Sequence, residues 1–303
     1  MTITPSAAVM RVLDGAVDLH CHSGPSPFPR RINHVEAAHD AARIGLRAIL
    51  VKSHHHNTVM DLLAMAGPLT AAPTPVYGGV ALNSEVGGIN PSAVAMSLRM
   101  GGRCVWAPTV SARQHIDHHA HAHGFPTSGL DLLEEEVSIF DDAGAVSAAT
   151  VQVTRVVAEA GALLTGGHLD VASQKALFEV AVEQGVRRLL VQHPDFIVGA
   201  AESDVEELLG MGAFVEHEIA MYHPDVAQPD WPIEQLVGWI ERIGPERTTI
   251  GSDLGQQGNP LPVDGYLWIV QALLDHGVSE KDVRRMVADN PAYLLGLDDE
   301  RPS

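Results

Sequence analysis

Short apolar runs alternate along the chain with longer amphipathic stretches. The runs are brief and rich in β-branched residues, which is typical of buried strands rather than of helices. Eight of them are present, and they cover Ala16–His22, Arg47–Ser53, Thr74–Leu82, Arg103–Thr109, Ala162–Asp170, Arg187–His193, Ala213–Ile219 and Thr248–Asp253. Because helix-like stretches separate these runs, the pattern predicts βα units and a parallel sheet.

The helix-like stretches show start and stop signals. The stretch Asn33–Ile44 begins with Asn33 as a candidate N-cap and is followed by Gly45. Two others, Ser173–Gln184 and Ser203–Leu209, also begin with a capping residue type and precede a glycine. Eight βα units predict an α/β fold closed into a (β/α)8 TIM barrel. An open doubly wound sheet is the alternative, but no glycine-rich dinucleotide motif follows the first strand.

One interval departs from this regular spacing. After the fourth strand, about forty residues (110–150) precede the next helix, and they include the histidine-rich segment His115–Phe125. A long loop after a barrel strand is usually functional. We therefore predict a single domain over residues 1–303, with an insertion at 110–150 that forms a loop or lid over the active site.

Composition and charge narrow the function. The 303 residues are 46% apolar and 19% charged, and the net charge is −19, which argues against a nucleic-acid partner. Cys21 and Cys104 lie in different predicted strands, so no disulfide framework is expected. No secretory signal or run of ~18 apolar residues is present. We expect a cytoplasmic protein with no membrane partner, and a homo-oligomer formed through its alanine-rich helices.

Two histidines end the first predicted strand, in the segment Val17–Pro25 (VDLHCHSGP). Since alternate strand residues face opposite sides, His20 and His22 share one face with Asp18, and the apolar residues share the other. If the apolar face packs against helices, both imidazoles point into the barrel. Residues i and i+2 are ~6.6 Å apart along a strand, which lets two imidazoles reach one ion. An ordinary pair of loop histidines remains equally compatible with this motif alone.

Three other strands also end in groups that bind metals. His168 ends the fifth strand, His193 the sixth and Asp253 the eighth. The carboxyl ends of barrel strands form the active site, and imidazoles with a carboxylate suit a divalent metal. Any one of these residues could be a buried histidine or a helix cap, but four such strand ends together favour a metal site.

In this order of motifs the sequence resembles the amidohydrolase superfamily of metal-dependent hydrolases. The segment Asp289–Leu297 (DNPAYLLGL) also resembles its terminal helix. The resemblance implies that Asp253 is both a ligand and the base that takes a proton from a metal-activated water. It implies a set of metal ligands made up of His20, His22, His168, His193 and Asp253. The ion would be divalent, with Zn²⁺ favoured and Mn²⁺ or Fe²⁺ as alternatives.

The sequence departs from the binuclear pattern of that superfamily. Its fourth strand, Arg103–Thr109, ends without the lysine or glutamate that often bridges two metals. Lys52 instead ends the second strand and is a candidate catalytic residue, either bridging or binding substrate. The alternative is a lysine paired with a carboxylate such as Asp18 or Glu216. One ion per chain is our first expectation, and two remain an alternative.

Further residues are candidates for binding a small-molecule substrate. Among the three adjacent histidines, His54 shares the parity of Lys52, whereas His55 and His56 are expected to face solvent. Glu216 and Glu218 share one face of the seventh strand and either assist the site or pair with Lys52 or Arg113. The remaining candidates are loop residues that follow the first, third and fourth strands: Arg30, Asn83, Glu85 and His115. Surface or solvated roles are the alternative for each of them.

Three functions are compatible with these residues. The first is metal-dependent hydrolysis of a small amide, ester or lactone by metal-activated water. The second is non-oxidative decarboxylation of a small carboxylic acid, for which relatives use a similar ligand set around one metal. The third is a barrel that binds a metal or ligand without catalysis. An intact Asp253 argues against the third, because a decayed site would be expected to lose its base.

Overall fold

The barrel wall is formed by short parallel strands. The computed structural model describes residues 5–119, 132, 135–226 and 231–298. Within these residues the strands pair in the orders β1-β2-β3 and β4-β5-β6-β7-β8-β9, all in parallel. Their bounds are β1 Val17–Cys21, β2 Ala48–Val51, β3 Val76–Tyr77, β4 Gly79–Ala81, β5 Cys104–Trp106, β6 Leu163–Thr165, β7 Arg188–Gln192, β8 Phe214–Glu218 and β9 Thr248–Gly251.

Two features turn these sheets into a ring. β3 and β4 are the two halves of the third predicted strand, interrupted at Gly78. Beyond the other edges, the Asp253 N–H donates to His20 O at 2.8 Å, and the His22 N–H donates to Leu254 O at 2.9 Å. The last strand thereby meets the first. The architecture is the (β/α)8 barrel that the sequence predicts.

The interruption of the third strand follows from a close approach to its neighbours. Thr58 Oγ1 accepts a hydrogen bond from the Gly79 N–H at 3.0 Å. A Cβ on Gly78 would lie 2.6 Å from Thr58 Oγ1, and one on Gly79 would lie 2.0 Å from Cys104 O. Only glycine therefore fits at both positions. The continuous strand predicted over Thr74–Leu82 is wrong at this point, because the helix that follows β2 inserts its first residue there.

Helices follow the strands and cover the outside of the barrel. The helices are α1 Ala7–Leu13, α2 His34–Ala42, α3 Thr58–Ala64, α4 Ala66–Thr70, α5 Pro91–Arg99, α6 Arg113–His119, α7 Ala148–Ala160, α8 Val171–Glu183, α9 Glu202–Gly210, α10 Ile233–Ile243, α11 Pro262–Asp275, α12 Glu280–Arg284 and α13 Asn290–Leu294. Single 3₁₀ turns cover Ser84–Val86 and Ile219–Met221, and a π-helical turn covers Arg285–Asp289. Among the described residues, no helix has the length and apolar character needed to cross a membrane.

The helix starts agree with the sequence signals in part. Asn33 caps α2 and forms a reciprocal capping box with Glu36, as its position predicts. The predicted start at Ser173 is wrong, because Asp170 caps α8 and accepts from the Ser173 N–H at 2.9 Å. The aspartate precedes the serine by three residues, so the helix gains almost a full turn. The start at Ser203 is displaced by one residue, with α9 beginning at Glu202.

The core divides into an inner cluster and two outer clusters. The inner cluster contains Val17 and Leu19 together with Leu50, Trp106 and Phe214 from other strands, and α13 closes it. The expectation that Val17 and Leu19 face the helices is therefore wrong. The pairing of β1 with β2 shifts in register between Asp18 and Cys21, which breaks strict alternation. Cys21 packs in an outer cluster, as expected.

The predicted loop insertion is described only in part. Its first helix, α6, follows β5. Outside the described residues lie 120–131 and 133–134, which include His121 and His123. Arg113 forms exposed ion pairs with Asp117 and Glu136 rather than contacting Glu216. The role of residues 110–150 as a lid stays a prediction. The two cysteines are buried and free, in agreement with the sequence.

Candidate metal centre

Three predicted ligands meet at the carboxyl ends of the strands. One ligand atom from each of His20, His193 and Asp253 lies within 4.8 Å of the other two. His193 and Asp253 are the non-glycine residues among those described that have a left-handed backbone, with φ of 50° and 49°. This conformation is costly for residues with a side chain and concentrates at functional sites. The backbone thus pays a conformational cost to turn both side chains into the cluster.

His20 is held by partners from two other strands. Its Nδ1 lies 2.9 Å from Glu216 Oε1 and 3.0 Å from Gln192 Nε2, and Gln192 itself donates to Glu216 at 2.6 Å. Because Glu216 occupies Nδ1, the opposite ring nitrogen, Nε2, faces the cluster, 3.5 Å from Asp253 Oδ1. A carboxylate behind a histidine is the usual arrangement around a metal-binding imidazole.

His22 shows the same division between its ring nitrogens. Its Nε2 lies 2.9 Å from Asp253 Oδ1. Its Nδ1 lies 3.2 Å from Lys52 O and 3.3 Å from Arg30 Nη2. His20 and His22 therefore direct Nε2 at the same carboxylate oxygen and anchor Nδ1 away from it.

His193 is anchored by the second carboxylate of β8. Its Nδ1 lies 3.2 Å from Glu218 Oε2, while Glu218 Oε1 accepts from the His193 backbone N–H at 3.0 Å. Glu216 and Glu218 were predicted as substrate contacts or as assistants to the site. The structure places both behind histidines, fully buried, rather than at the opening of the barrel.

Lys52 lies inside the cluster and not in a carboxylate ion pair. Its Nζ is 3.1 Å from His20 Nε2, and its side chain is fully buried. Pairing with Asp18 or Glu216 is not found among the described residues, since Asp18 is instead bound to Ser252. Burial lowers the pKa of Lys52. The lysine is thus in reach of the same space that the histidines face.

His168 lies beside this group and is held by the loop after β5. Its Nδ1 is 2.8 Å from His115 Nδ1, and the two rings stack at 4.8 Å. Its Nε2 is buried and has no hydrogen-bond partner among the described residues. The His168 ring centroid lies 5.2 Å from that of His193. His115 therefore fixes the orientation of His168 and leaves Nε2 available.

His54 completes the ring of histidines and is fixed by a polar network. Its Nδ1 lies 2.8 Å from Thr109 Oγ1, and its ring stacks on His22 at 5.3 Å. Asn83 Nδ2 donates to His54 O and to Thr109 Oγ1, both at 2.7 Å, and Asn83 Oδ1 accepts from the Thr109 N–H at 2.7 Å. The Asn83 amide thus forms hydrogen bonds that connect two loops. The structure places it there rather than in the predicted contact with substrate.

The remaining sequence candidates lie at the opening. Glu85 is partly exposed, with Oε1 3.7 Å from His55 Nε2. His55 is buried and packs edge-on against Phe28 at 4.7 Å, so the expectation that it faces solvent is wrong. His56 is partly exposed and bound to Asp61. Arg30 lies next to His22, with its guanidinium 5.9 Å from the Phe28 ring.

Electrostatics favours neutral imidazoles in the cluster. Burial lowers the pKa of His20, His54 and His168 well below the usual histidine value, and lowers that of His22 to about 4. Burial acts in the same direction on His193, but Glu218 outweighs it and raises the pKa of this residue. Neutral imidazoles keep the lone pair that a cation needs.

These residues fit a divalent ion by two further observations. Three carboxylates, Asp253, Glu216 and Glu218, lie close together with Lys52 as their cationic neighbour. Burial raises the pKa of Glu216 and Glu218, because surroundings of low dielectric constant disfavour their charged forms. In addition, the buried His168 Nε2 has no partner among the described residues. A cation held between these side chains would satisfy both conditions.

Sequence reasoning missed the residues that hold these ligands. Gln192 precedes His193 and lies between His20 and Glu216. Asp18 accepts from Ser252 Oγ at 2.6 Å and from the backbone N–H groups of His20 and Ser252, so it ties β1 to the end of β9. The parity of Gln192 with Leu190, which faces inward, is the one sequence signal that points to it.

The fold is shared with known hydrolases. An amidohydrolase from Pseudomonas aeruginosa superposes with a TM-score of 0.65 at 14% identity, over 96% of this chain and 98% of that one. An organophosphorus hydrolase from Deinococcus radiodurans gives 0.55 at 16% identity, over 98% of each chain. A metallopeptidase described as dipeptidase AC gives 0.57 at 13% identity, over 93% of this chain and 98% of that one.

The likeness to these structures gives the chain the fold class of the amidohydrolases, which the sequence motifs predict. Within that class, the chain belongs to a family described as a family of unknown function (DUF6282), whose model matches residues 15–216. No functionally curated protein matches the chain in sequence. The matched region contains four of the five predicted ligands, and Asp253 lies beyond it.

Proposed function

We propose that this protein is a metal-dependent hydrolase that acts on a small amide, ester or lactone. The observation that carries the proposal is the common orientation of the ligand histidines. His20 and His22 each anchor Nδ1 on a fixed acceptor and direct Nε2 at Asp253 Oδ1. Such preorganisation of two rings around a carboxylate suits ion binding, whereas two rings buried for stability alone would not need a shared target.

His20, His22, His193 and Asp253 would hold the ion, with His168 Nε2 as a further donor. Zn²⁺ suits this histidine-rich set best, and Mn²⁺ or Fe²⁺ fits the same donors. A divalent ion at this position would supply Lewis acidity and lower the pKa of water to near neutrality. The chain's own residues would do the rest of the chemistry.

Asp253 is the proposed general base. Burial disfavours its charged form, but neighbouring His20 and the hydrogen bond from His22 stabilise it, so the pKa of Asp253 lies below its ordinary value. Its carboxylate is the group in the cluster with partial access to the opening, at 13% side-chain exposure. Its low pKa keeps Asp253 ionised, and only the ionised carboxylate can accept a proton from attacking water and return it to the leaving group.

Lys52 is proposed to act beside the ion, and the number of ions per chain decides its role. With one ion, the buried amine 3.1 Å from His20 Nε2 would contact substrate. With two ions, it would contribute to a bridge between them. Elemental analysis of the purified protein separates the two roles, because a stoichiometry near one supports the first and near two supports the second.

The test compares activity across metal states and a matched pair of variants. The protein is stripped with a chelator, reloaded with Zn²⁺, Mn²⁺ or Fe²⁺, and assayed on a panel of esters, lactones and amides. Loss on stripping and recovery on reloading are expected. Asp253→Asn should lower kcat by about 10²- to 10⁴-fold, whereas Asp264→Asn on the exposed face of α11 should not.

The same assay distinguishes the alternatives. Full activity of Asp253→Asn and His20→Ala with the ion bound would overturn the proposal. Release of CO₂ from a carboxylic acid, without water uptake, would instead identify a decarboxylase. An ion-loaded protein that turns over no member of the panel would support a binding function without catalysis.

A further inference from the structure

Arg30 is a cation placed at the opening of the barrel, and the Asp253 carboxylate acts on it electrostatically without forming an ion pair with it. It is partly buried, and among the described residues its guanidinium forms no ion pair. Its side-chain hydrogen-bond contact is the one between Nη2 and His22 Nδ1, and its Nε is buried without a partner. A guanidinium removed from water normally has a carboxylate or phosphate nearby, because desolvation is costly for an unpaired charge.

The backbone holds Arg30 in this place from both sides. The loop that carries it pairs with the loop after β9 through an antiparallel bridge between Arg30 and Gln256. The Arg31 N–H donates to Gly255 O at 2.8 Å, and the Gln257 N–H donates to Pro29 O at 3.0 Å. On one face of the guanidinium lies the Phe28 ring. The position is therefore fixed by the fold and is not that of a free surface arginine.

The contact with His22 cannot persist when His22 Nε2 binds a cation. A neutral imidazole carries one proton, and a cation on Nε2 places that proton on Nδ1. The Nδ1–H then donates to Lys52 O, which lies 3.2 Å away. Nδ1 can no longer accept from Arg30 Nη2, so two N–H groups would face each other. Arg30 then needs another acceptor, and the described residues place none within hydrogen-bond distance of its guanidinium.

We propose that Arg30 binds a carboxylate of the substrate, so that the hydrolysed compound is a small acid. This inference rests on the proposed function and assigns its substrate class. Because His22 contacts both Arg30 and Asp253, the carboxylate lies close to the bond that is hydrolysed. Half-esters or half-amides of short dicarboxylic acids and carboxylated lactones have this arrangement. One guanidinium matches one negative charge in a two-point contact.

Binding is measured by calorimetry with the ion-loaded protein and two probes, benzoate and benzamide, which differ in charge but hardly in shape. Benzoate should bind at least 10-fold more tightly to the wild type. Arg30→Gln should reduce this preference to the part that the ion itself supplies, and Arg31→Gln should keep it in full, because neighbouring Arg31 is exposed and donates to Asn259 O. Equal preference in the wild type and in Arg30→Gln would overturn the inference. The ion itself is the same in each sample, so its own attraction for benzoate cancels in the comparison.

Kinetics gives a second, independent readout on monomethyl and dimethyl succinate. Arg30→Gln should lower kcat/KM for the monoester at least 10-fold more than kcat/KM for the neutral diester, whereas a structural defect would lower both to the same extent. Should Arg30→Gln fold poorly or lose metal, Arg30→Lys keeps the charge without the planar fork and should show a partial loss of preference. If the wild type hydrolyses neither ester but still prefers benzoate to benzamide, the result counts against the proposed function and not against the role of Arg30. A preference for the diester in the wild type would count against the role of Arg30.

Discussion

His20 Nδ1 lies 2.9 Å from Glu216 Oε1, and both side chains are fully buried. The pair joins β1 to β8 and determines which ring nitrogen of His20 faces Asp253. A buried histidine–carboxylate pair of this kind determines the tautomer and raises the basicity of the other nitrogen. The geometry of the candidate centre thus depends on Glu216, which binds the ring nitrogen of His20 that points away from Asp253.

Replacement of Glu216 by glutamine tests this dependence. The Glu216→Gln change keeps the shape but removes the negative charge behind His20, so the affinity for the ion should fall by about 10- to 100-fold. Titration of the stripped protein with Zn²⁺ against a competing chelator measures this affinity. Glu241→Gln, on the exposed part of α10, is the matched control. Unchanged affinity in Glu216→Gln would mean that the pair serves stability only.

A single methyl group at Gly251 should disturb the same pair. A Cβ there would lie 2.7 Å from Glu216 Cδ and 2.9 Å from His20 Cβ. Gly251→Ala should therefore displace both side chains, weaken ion binding, and cost about 1–3 kcal/mol of unfolding free energy through overpacking. Gly238→Ala in α10 has its nearest contact at 3.6 Å and should lack both effects. Denaturant unfolding and the Zn²⁺ titration check the two parts separately.

His217 is expected to lower the stability of the protein in acid. It is buried against Trp239, its two ring nitrogens have no hydrogen-bond partner among the described residues, and burial lowers its pKa to about 4. In the unfolded chain the His217 imidazole becomes protonated below about pH 6.5, whereas in the native protein it stays neutral until about pH 4. Stability therefore falls as pH drops through this window, by up to about 3 kcal/mol from this residue.

Substitution of His217 by phenylalanine should remove that contribution. His217→Phe keeps the ring against Trp239, so its unfolding free energy should fall less steeply than that of the wild type between pH 6.5 and pH 4. His39→Phe on the exposed side of α2 provides the control. Parallel curves for His217→Phe and the wild type would show that His217 does not titrate in this range.

The sequence was sufficient to predict the barrel and the strand ends at which His20, His193 and Asp253 meet. Both depend on repetition: apolar runs that recur eight times, and polar groups that recur at their carboxyl ends. His20, His193 and Asp253 meet because parallel strands bring such ends to one side of a barrel. His20 and His22 face the cluster as predicted, although the register shift in β1 breaks the alternation on which that prediction rested.

The remainder depends on contacts that no local pattern encodes. The register shift in β1 sends Val17 and Leu19 inward, and the interruption at Gly78 arises from the approach of Thr58. Asn83 looks like any polar loop residue, yet its amide joins two loops. Partners far apart in sequence determine each of these features, so spacing alone cannot predict them.

The metal content of the purified protein is the direct test of a metal site at His20, His193 and Asp253. Elemental analysis of wild type, His20→Ala and His39→Ala, each after equilibration with Zn²⁺ and removal of loosely bound ions, compares a cluster histidine with an exposed one. We predict at least one ion per chain in the wild type and in His39→Ala, and a substoichiometric amount in His20→Ala. A wild-type chain without stoichiometric metal, or equal metal in all three proteins, would contradict the account.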